Sequence, residues 1–241
     1  MGAGNGEAIA PLPVFADVDT GVDDAMALVY LLASAEARLV GIASTGGNVA
    51  VQQVCVNNLG LLELCRVDDI PVSKGAEQPL SCTLRTAEDT HGPQGLGYAT
   101  LPPTARRLAD DDAAQAWLRA AHAYPGELIG LVTGPMTNLA LALRTEPELP
   151  GLLRRLVVMG GSFEYRGNTD VVAEWNISVD PEAAAEVFAA WSGAPDPPIV
   201  LGLNLTESIV MTPAIVTRLA EAAHSSTVAM SVLCQRFGHR R

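Results

Sequence analysis

Lysine and arginine are scarce in this chain of 241 residues: 15 stand against 27 aspartates and glutamates, for a formal net charge of -12. A surface that tracks phosphates needs clustered cations, so nucleic acid is not expected as a partner. The first basic residue is Arg38, and Met1 to Pro13 holds no long apolar run, so no secretory leader is read and a cytoplasmic protein is expected. No apolar stretch reaches the roughly 18 to 20 uncharged residues of a membrane-spanning helix, so no membrane partner is expected either. Cys55, Cys65, Cys82 and Cys234 lack C-x-x-C spacing. A chain of this length does not need disulfides to hold its core, and the four are read as reduced and structural. Repeats, low-complexity tracts and dividing linkers are missing too, so residues 1–241 read as a single domain.

What is present is a succession of apolar runs of strand length: Pro13 to Ala16, Leu39 to Ser44, Leu128 to Val132, Leu156 to Met159 and Ile199 to Leu203, with helical patterns between them. Runs this apolar are buried on both faces, which predicts a doubly wound α/β fold, a mostly parallel sheet with helices on both faces. Asp180-Pro181-Glu182 marks a helix start with an N-cap, a proline at the first helical position and an early acid, and Thr212-Pro213 repeats the first two features. Between Glu77 and Arg107 the chain is rich in Gly, Pro and Thr without a clear period. Long loops inside compact domains tend to be functional.

The densest chemical signal is Asp17-Val18-Asp19-Thr20-Gly21-Val22-Asp23-Asp24, at the end of the first strand and the start of a helix spanning Asp23 to Leu32. Ligands of open α/β sheets bind at that edge. Four acids so close repel one another and raise one another's pKa. Arg38, Arg66, Lys74 and Arg85 are the only basic residues in the first ninety positions, too few nearby to neutralise them. A cation resolves the conflict. Oxygen ligation selects a hard ion, Ca²⁺ or Mg²⁺, and Ca²⁺ tolerates irregular shells containing carbonyls better.

Other segments fall on the same sheet edge. Ser44-Thr45-Gly46-Gly47-Asn48 follows the second strand, and Thr133-Gly134-Pro135-Met136-Thr137-Asn138 follows the Leu128 to Val132 strand, bringing a free backbone carbonyl to the edge. After Met159 come Gly160-Gly161-Ser162, Gly167-Asn168 and Glu174-Trp175-Asn176. Asn168, Glu174 and Asn176 are suited to hydroxyl groups, so a polyol or sugar is the ligand these side chains favour. His91 lies in the long loop, while His122, His224 and His239 carry no motif.

Taken in order from about Pro13 to about Leu205, these segments resemble the nucleoside hydrolases, the inosine/uridine-preferring nucleoside N-ribohydrolase family. The resemblance rests on the acid octet, Gly47-Asn48, Thr133-Gly134, Val158-Met159-Gly160-Gly161, Gly167-Asn168, Glu174-Trp175-Asn176 and Asp180-Pro181-Glu182-Ala183. It implies Ca²⁺-dependent hydrolysis of the N-glycosidic bond of purine and pyrimidine ribonucleosides, by a homo-oligomer, dimer or tetramer. Asp19 would ligate Ca²⁺ and take the proton of the attacking water, with Asp24 and the carbonyl of Thr133 as further ligands. Asp23, Asn48, Asn168, Glu174 and Asn176 would contact ribose hydroxyls, Met159 would wall the ribose pocket, and His91 would serve on the base side. Asp17 would be a supporting neighbour.

The resemblance also carries a difference. Members of the family continue beyond the part matching Ser231 to Arg241, with a His-Asp pair that Gly238-His239-Arg240-Arg241 does not supply. Greatly reduced hydrolysis by residues 1–241 is therefore expected. Two other readings compete. Asp17-Val18-Asp19-Thr20 also resembles the opening of haloacid-dehalogenase-type phosphatases, with Asp17 as nucleophile and Mg²⁺ as cofactor, although Gly21 stands where that family has an apolar residue. The other is a ribose- and metal-binding remnant without turnover.

Overall fold

The computed structural model describes residues 10–221. In chain order it comprises β1 (Leu12–Val18), α1 (Val22–Ala33), β2 (Ala37–Ser44), α2 (Val51–Cys65), β3 (Val72–Lys74), α3 (Glu88–His91), α4 (Ala113–Ala123) and β4 (Leu128–Val132). There follow α5 (Thr137–Thr145), α6 (Leu149–Leu152), β5 (Leu153–Met159), α7 (Trp175–Val179), α8 (Pro181–Ala190), β6 (Ile199–Leu201), α9 (Leu203–Thr206) and α10 (Pro213–Glu221). The strands form one sheet in the order β3-β2-β1-β4-β5-β6, and every pairing is parallel. The chain winds outward from β1 to β3, returns to the other side of β1 as β4, and winds outward again. The doubly wound fold expected from the apolar runs is the fold observed.

That return makes β1 and β4 neighbours whose connections leave in opposite directions, and the gap between their carboxyl ends is where such sheets bind ligands. Thr133 N–H donates to the carbonyl of Asp17 at 3.0 Å, closing the pair at that end.

Alternation along β1 sorts its side chains between two cores. Val14, Ala16 and Val18 face a cluster that includes Leu28 of α1 and Leu61 and Leu62 of α2. Phe15 faces the other cluster, with Trp117 of α4, Leu139 of α5 and Val187 of α8. Phe15 and Trp117 meet with ring centroids 4.7 Å apart at 53°. Room for the two rings comes from glycines placed by register: Phe15 lies between Gly41 on β2 and Gly130 on β4. A Cβ at Gly41 would lie 2.8 Å from Phe15 Cε2, and one at Gly130 would lie 2.7 Å from Trp117 Cη2.

Some boundaries differ from the sequence reading. The Ile199 to Leu203 run is a strand only to Leu201, because Gly202 leaves the sheet to cap α9. β5 begins at Leu153, earlier than the apolar run, and takes in Arg154 and Arg155. β3 is a strand that the sequence reading lacks; two of its three residues, Ser73 and Lys74, are polar, so no apolar run marks it. α8 and α10 start where Asp180 and Thr212 signal. Ala183 N–H donates to Asp180 Oδ1 at 3.1 Å, and Ile215 N–H to Thr212 Oγ1 at 3.3 Å. Between Glu77 and Arg107 the only regular element is α3. Cys55, Cys65 and Cys82 are free thiols, and no described helix is long and apolar enough to cross a membrane. His224, Cys234, His239 and the segment Ser231 to Arg241 lie outside the described residues.

Gly130→Ala is expected to lower the unfolding free energy by about 1–3 kcal/mol, because the new methyl meets a buried indole that cannot retreat. Gly151→Ala, where an added Cβ meets nothing within 4 Å, should leave it within about 0.5 kcal/mol. Urea unfolding of both variants measures the difference.

Candidate active site

β1 ends in Asp17-Val18, and the next residues cross the gap between β1 and β4 before α1 begins. Asp17 and Asp19 are both fully buried, so neither is a solvated surface acid. Their surroundings differ. Asp17 Oδ1 accepts hydrogen bonds from Thr45 Oγ1 (2.5 Å) and Asn138 Nδ2 (2.9 Å), and Oδ2 accepts one from Trp117 Nε1 (2.7 Å). Burial raises its pKa and the three donors oppose the rise. Fully buried and held by three donors from other elements, Asp17 is a poor candidate for the exposed nucleophile that the phosphatase reading needs. The four acids therefore do not act as one cluster: Asp17 turns into a structural network beneath the site.

Asp19 and Asp24 are the pair that meets. Asp19 Oδ2 accepts from Asn48 N–H at 2.8 Å, while Oδ1 is buried with no hydrogen-bond partner among the described residues. Asp24 Oδ2 accepts from Gly21 N–H (2.8 Å) and Asn48 Nδ2 (3.4 Å), and Oδ1 from the Thr133 hydroxyl. Burial first, then the charge of Asp24, drives the Asp19 pKa well above the usual carboxylate range against the Asn48 bond. Burial and the charge of Asp23 push Asp24 to about 7. Neither carboxylate has an ion pair with a cationic side chain among the described residues. Two glycines allow the backbone to crowd around Asp19: a Cβ at Gly47 would lie 2.1 Å from Asp19 Oδ2, and one at Gly134 would lie 2.8 Å from Asp19 N.

Oxygen donors of this kind, with one desolvated carboxylate oxygen unpaired, fit a hard divalent cation. Among the described residues no three His, Cys, Asp or Glu side chains form a metal-binding group. The set that fits is thus two carboxylates and a carbonyl, smaller than four acids suggest. The Thr133 carbonyl is not free, as its strand-end position suggested; it accepts from Asn176 Nδ2 at 2.7 Å, though a carbonyl oxygen has a second lone pair.

The remaining side chains line up around this pair. Asn176 Nδ2 also contacts the Met159 carbonyl (3.1 Å) and Sδ (3.6 Å), which draws Met159, the last residue of β5, to the site edge. Glu174 caps α7, accepting from Asn176 N–H (3.0 Å) and Ile177 N–H (3.1 Å), and it holds Gly161 N–H at 3.0 Å. His91 is buried against Gly21 and Val22, where Val22 N–H donates to Nδ1 at 3.3 Å; a neutral ring there carries its proton on Nε2. Asp23 Oδ1 lies 3.9 Å from the same nitrogen. Asn168 is exposed and its Oδ1 accepts from Trp175 N–H at 2.9 Å, so it joins through the loop before α7. The structure thus links every predicted residue to one end of the sheet, with Asn168 at the periphery.

Several contacts have no local signal in the sequence. The Thr133 hydroxyl, rather than its carbonyl alone, engages Asp24. Asn138 bonds Asp17 and also accepts from Ala76 N–H at 2.9 Å, tying the long loop to the acid network. Asp180, read as a helix cap, is fully buried and also accepts from Leu80 N–H (2.9 Å) and Thr137 Oγ1 (2.6 Å). Its position just before a helix gives the cap; nothing local gives its partners 43 and 100 residues away.

Residues 14–240 match the model of the inosine-uridine preferring nucleoside hydrolase family. Uridine nucleosidase 1 of Arabidopsis thaliana is 34% identical over 220 residues, covering 91% of this chain and 64% of that protein. The pyrimidine-specific ribonucleoside hydrolase RihA of Salmonella paratyphi A is 40% identical over 195 residues, covering 81% of this chain and 61% of its own length. The chain thus spans less than two thirds of the length of these curated relatives. Among solved structures, a plant nucleoside hydrolase, PpNRh1, superposes with a TM-score of 0.87 at 32% identity, over 94% of this chain and 71% of that one. The purine-preferring ribonucleoside hydrolase of Gardnerella vaginalis superposes with a TM-score of 0.88 at 29% identity, over 93% and 71%. With the same sheet, the acid pair at its switch point and a match along nearly its whole length, the chain belongs to the inosine-uridine preferring nucleoside hydrolase family.

Proposed function

We propose that this chain carries the site for hydrolysis of the N-glycosidic bond of ribonucleosides to ribose and free base, with Ca²⁺ held by Asp19, Asp24 and the Thr133 carbonyl. The observation that carries the reading is Asp19 Oδ1, a buried carboxylate oxygen without a partner among the described residues, next to a second buried carboxylate and beside amide side chains suited to hydroxyls. The bound cation supplies charge that makes water more acidic. Asp19 accepts the proton of the attacking water. Cleavage of a glycosidic bond passes through an oxocarbenium-like state, whose positive charge the carboxylates of Asp19, Asp23 and Asp24 stabilise. Asp23, Asn48, Asn168, Glu174 and Asn176 hold the sugar hydroxyls, and Met159 closes the pocket floor. His91, with Nδ1 fixed by Val22 N–H, presents Nε2–H towards the base.

Relatives named for uridine and pyrimidine nucleosides make uridine the first substrate to test. Uridine is expected to yield ribose in a reducing-sugar assay with Ca²⁺ present. Asp19→Asn should lower kcat at least about 100-fold, the loss typical of a missing general base. Wild-type chain that binds uridine and Ca²⁺ yet releases no more ribose than Asp19→Asn would leave binding without turnover as the correct description.

The cation has its own test in thermal unfolding. Ca²⁺ at about 100 times its Kd should add about 2.7 kcal/mol to wild-type stability. Asp24→Asn should raise Tm in chelator, by removing one of two buried like charges, and should abolish the Ca²⁺ response. A wild-type Tm that is equal in Ca²⁺ and chelator would overturn the cation assignment.

Deoxynucleosides should be poor substrates, because the buried groups that hold the 2′-hydroxyl would be left unpaired. For 2′-deoxyuridine, kcat/KM is expected to fall at least about 100-fold below that for uridine, measured in the same assay.

A further inference from the structure

Three buried side-chain polar atoms lack a hydrogen-bond partner among the described residues: Asp19 Oδ1, Asp23 Oδ1 and Trp175 Nε1. All three belong to segments that build the site. The first two are acceptors and are accounted for by a cation and by sugar hydroxyls. The third is a donor, and an indole nitrogen can only donate. A buried donor left without an acceptor is costly, and folded proteins hold few of them.

Trp175 is held on several sides. It opens α7 between Glu174 and Asn176, and its backbone N–H donates to Asn168 Oδ1 at 2.9 Å. The guanidinium carbon of Arg85 sits 5.6 Å from the indole centroid. Arg85 is itself tethered to the same helix, where Nη2 donates to the carbonyl of Ser178 (3.1 Å) and to its Oγ (3.2 Å). Arg85 lies in the long loop that also carries His91, so the ring stands where that loop meets α7. This packing restricts the orientation of the indole while leaving its N–H unpaired, the arrangement expected of a donor kept ready for a ligand.

Building on the nucleoside reading, we propose that Trp175 is a ligand-binding, specificity-determining residue whose Nε1–H donates to an oxygen acceptor of the nucleoside. The carboxylates of the site accept from sugar hydroxyls but can give nothing to an acceptor oxygen, and Trp175 adds a donor to those of the asparagines and His91. The acceptor is either a sugar oxygen or a carbonyl of the base.

Trp175→Phe keeps an aromatic ring beneath Arg85 and removes only the donor. In Ca²⁺, the uridine KM is expected to rise about 3- to 10-fold, with kcat changed less than twofold and Tm unchanged or raised. A residue with a structural role alone would lower Tm instead. Calorimetric titration with ribose locates the acceptor: equal weakening for ribose and uridine places it on the sugar, and weakening for uridine alone places it on the base. Unchanged KM and ribose Kd in Trp175→Phe would overturn the proposal and leave the nucleoside reading intact. Wild-type chain that binds neither uridine nor ribose would overturn the nucleoside reading, and this assignment with it.

Discussion

Asp19 and Asp24 sit side by side in the interior without a lysine or arginine among the described residues to balance them, and much of the surrounding structure follows from keeping them there. Burial acts against both ionised forms, as do the charge of Asp24 on Asp19 and the charge of Asp23 on Asp24. Backbone amides of Asn48 and Gly21 and the Thr133 hydroxyl offset part of that cost. Each comes from a different part of the chain, so the turn after β2, the start of α1 and the end of β4 must converge. The glycines at 47 and 134 are what permit the approach. A fold that concentrates unbalanced negative charge at the mouth of its sheet has a place for positive charge, whether an ion or a developing carbocation.

The wider architecture serves this convergence. A parallel sheet wound both ways from β1 leaves its gap at β1 and β4, and the acid pair stands at that gap. Phe15 and Trp117 anchor β1 from below, while Trp117 also donates to Asp17, so one indole joins core packing to the polar network under the site. The long loop is fastened at Asn138, Asp180 and Ser178, and Ala87 N–H donates to the Asn48 carbonyl at 2.9 Å. It is thereby fixed to both sides of the same opening.

Much of this is legible in the sequence. Apolar runs locate five of the six strands, because strands buried on both faces leave continuous hydrophobic stretches. β3 escapes because Ser73 and Lys74 interrupt any such pattern. The acid octet locates the site, since four carboxylates within eight residues repel too strongly to stand at a sheet edge without a use for their charge. Their division is legible through the family resemblance alone, which pairs Asp19 with Asp24 and makes Asp17 a neighbour; the octet itself does not show it, because Asp17 turns towards Trp117, Thr45 and Asn138, partners far along the chain. The same holds for Asp180, whose capping role is local and visible, and whose bonds to Leu80 and Thr137 are neither. Likewise Trp175 stands among hydroxyl-binding residues without a role of its own in the sequence, because its missing partner is a property of three-dimensional packing.

The network beneath the site has a consequence for how the molecule is made. Asp17 is bonded by Thr45, Trp117 and Asn138, the last of them 121 residues away. During synthesis from the N-terminus, β1 and its acids emerge long before α4 and α5 exist to cover them. Contacts so distant in sequence form slowly, since the intervening loop must be closed first. Until then the Asp17 carboxylate has none of these three donors and depends on water to solvate its charge. Burial of the first strand's acid is thus completed only after the chain has grown through Asn138.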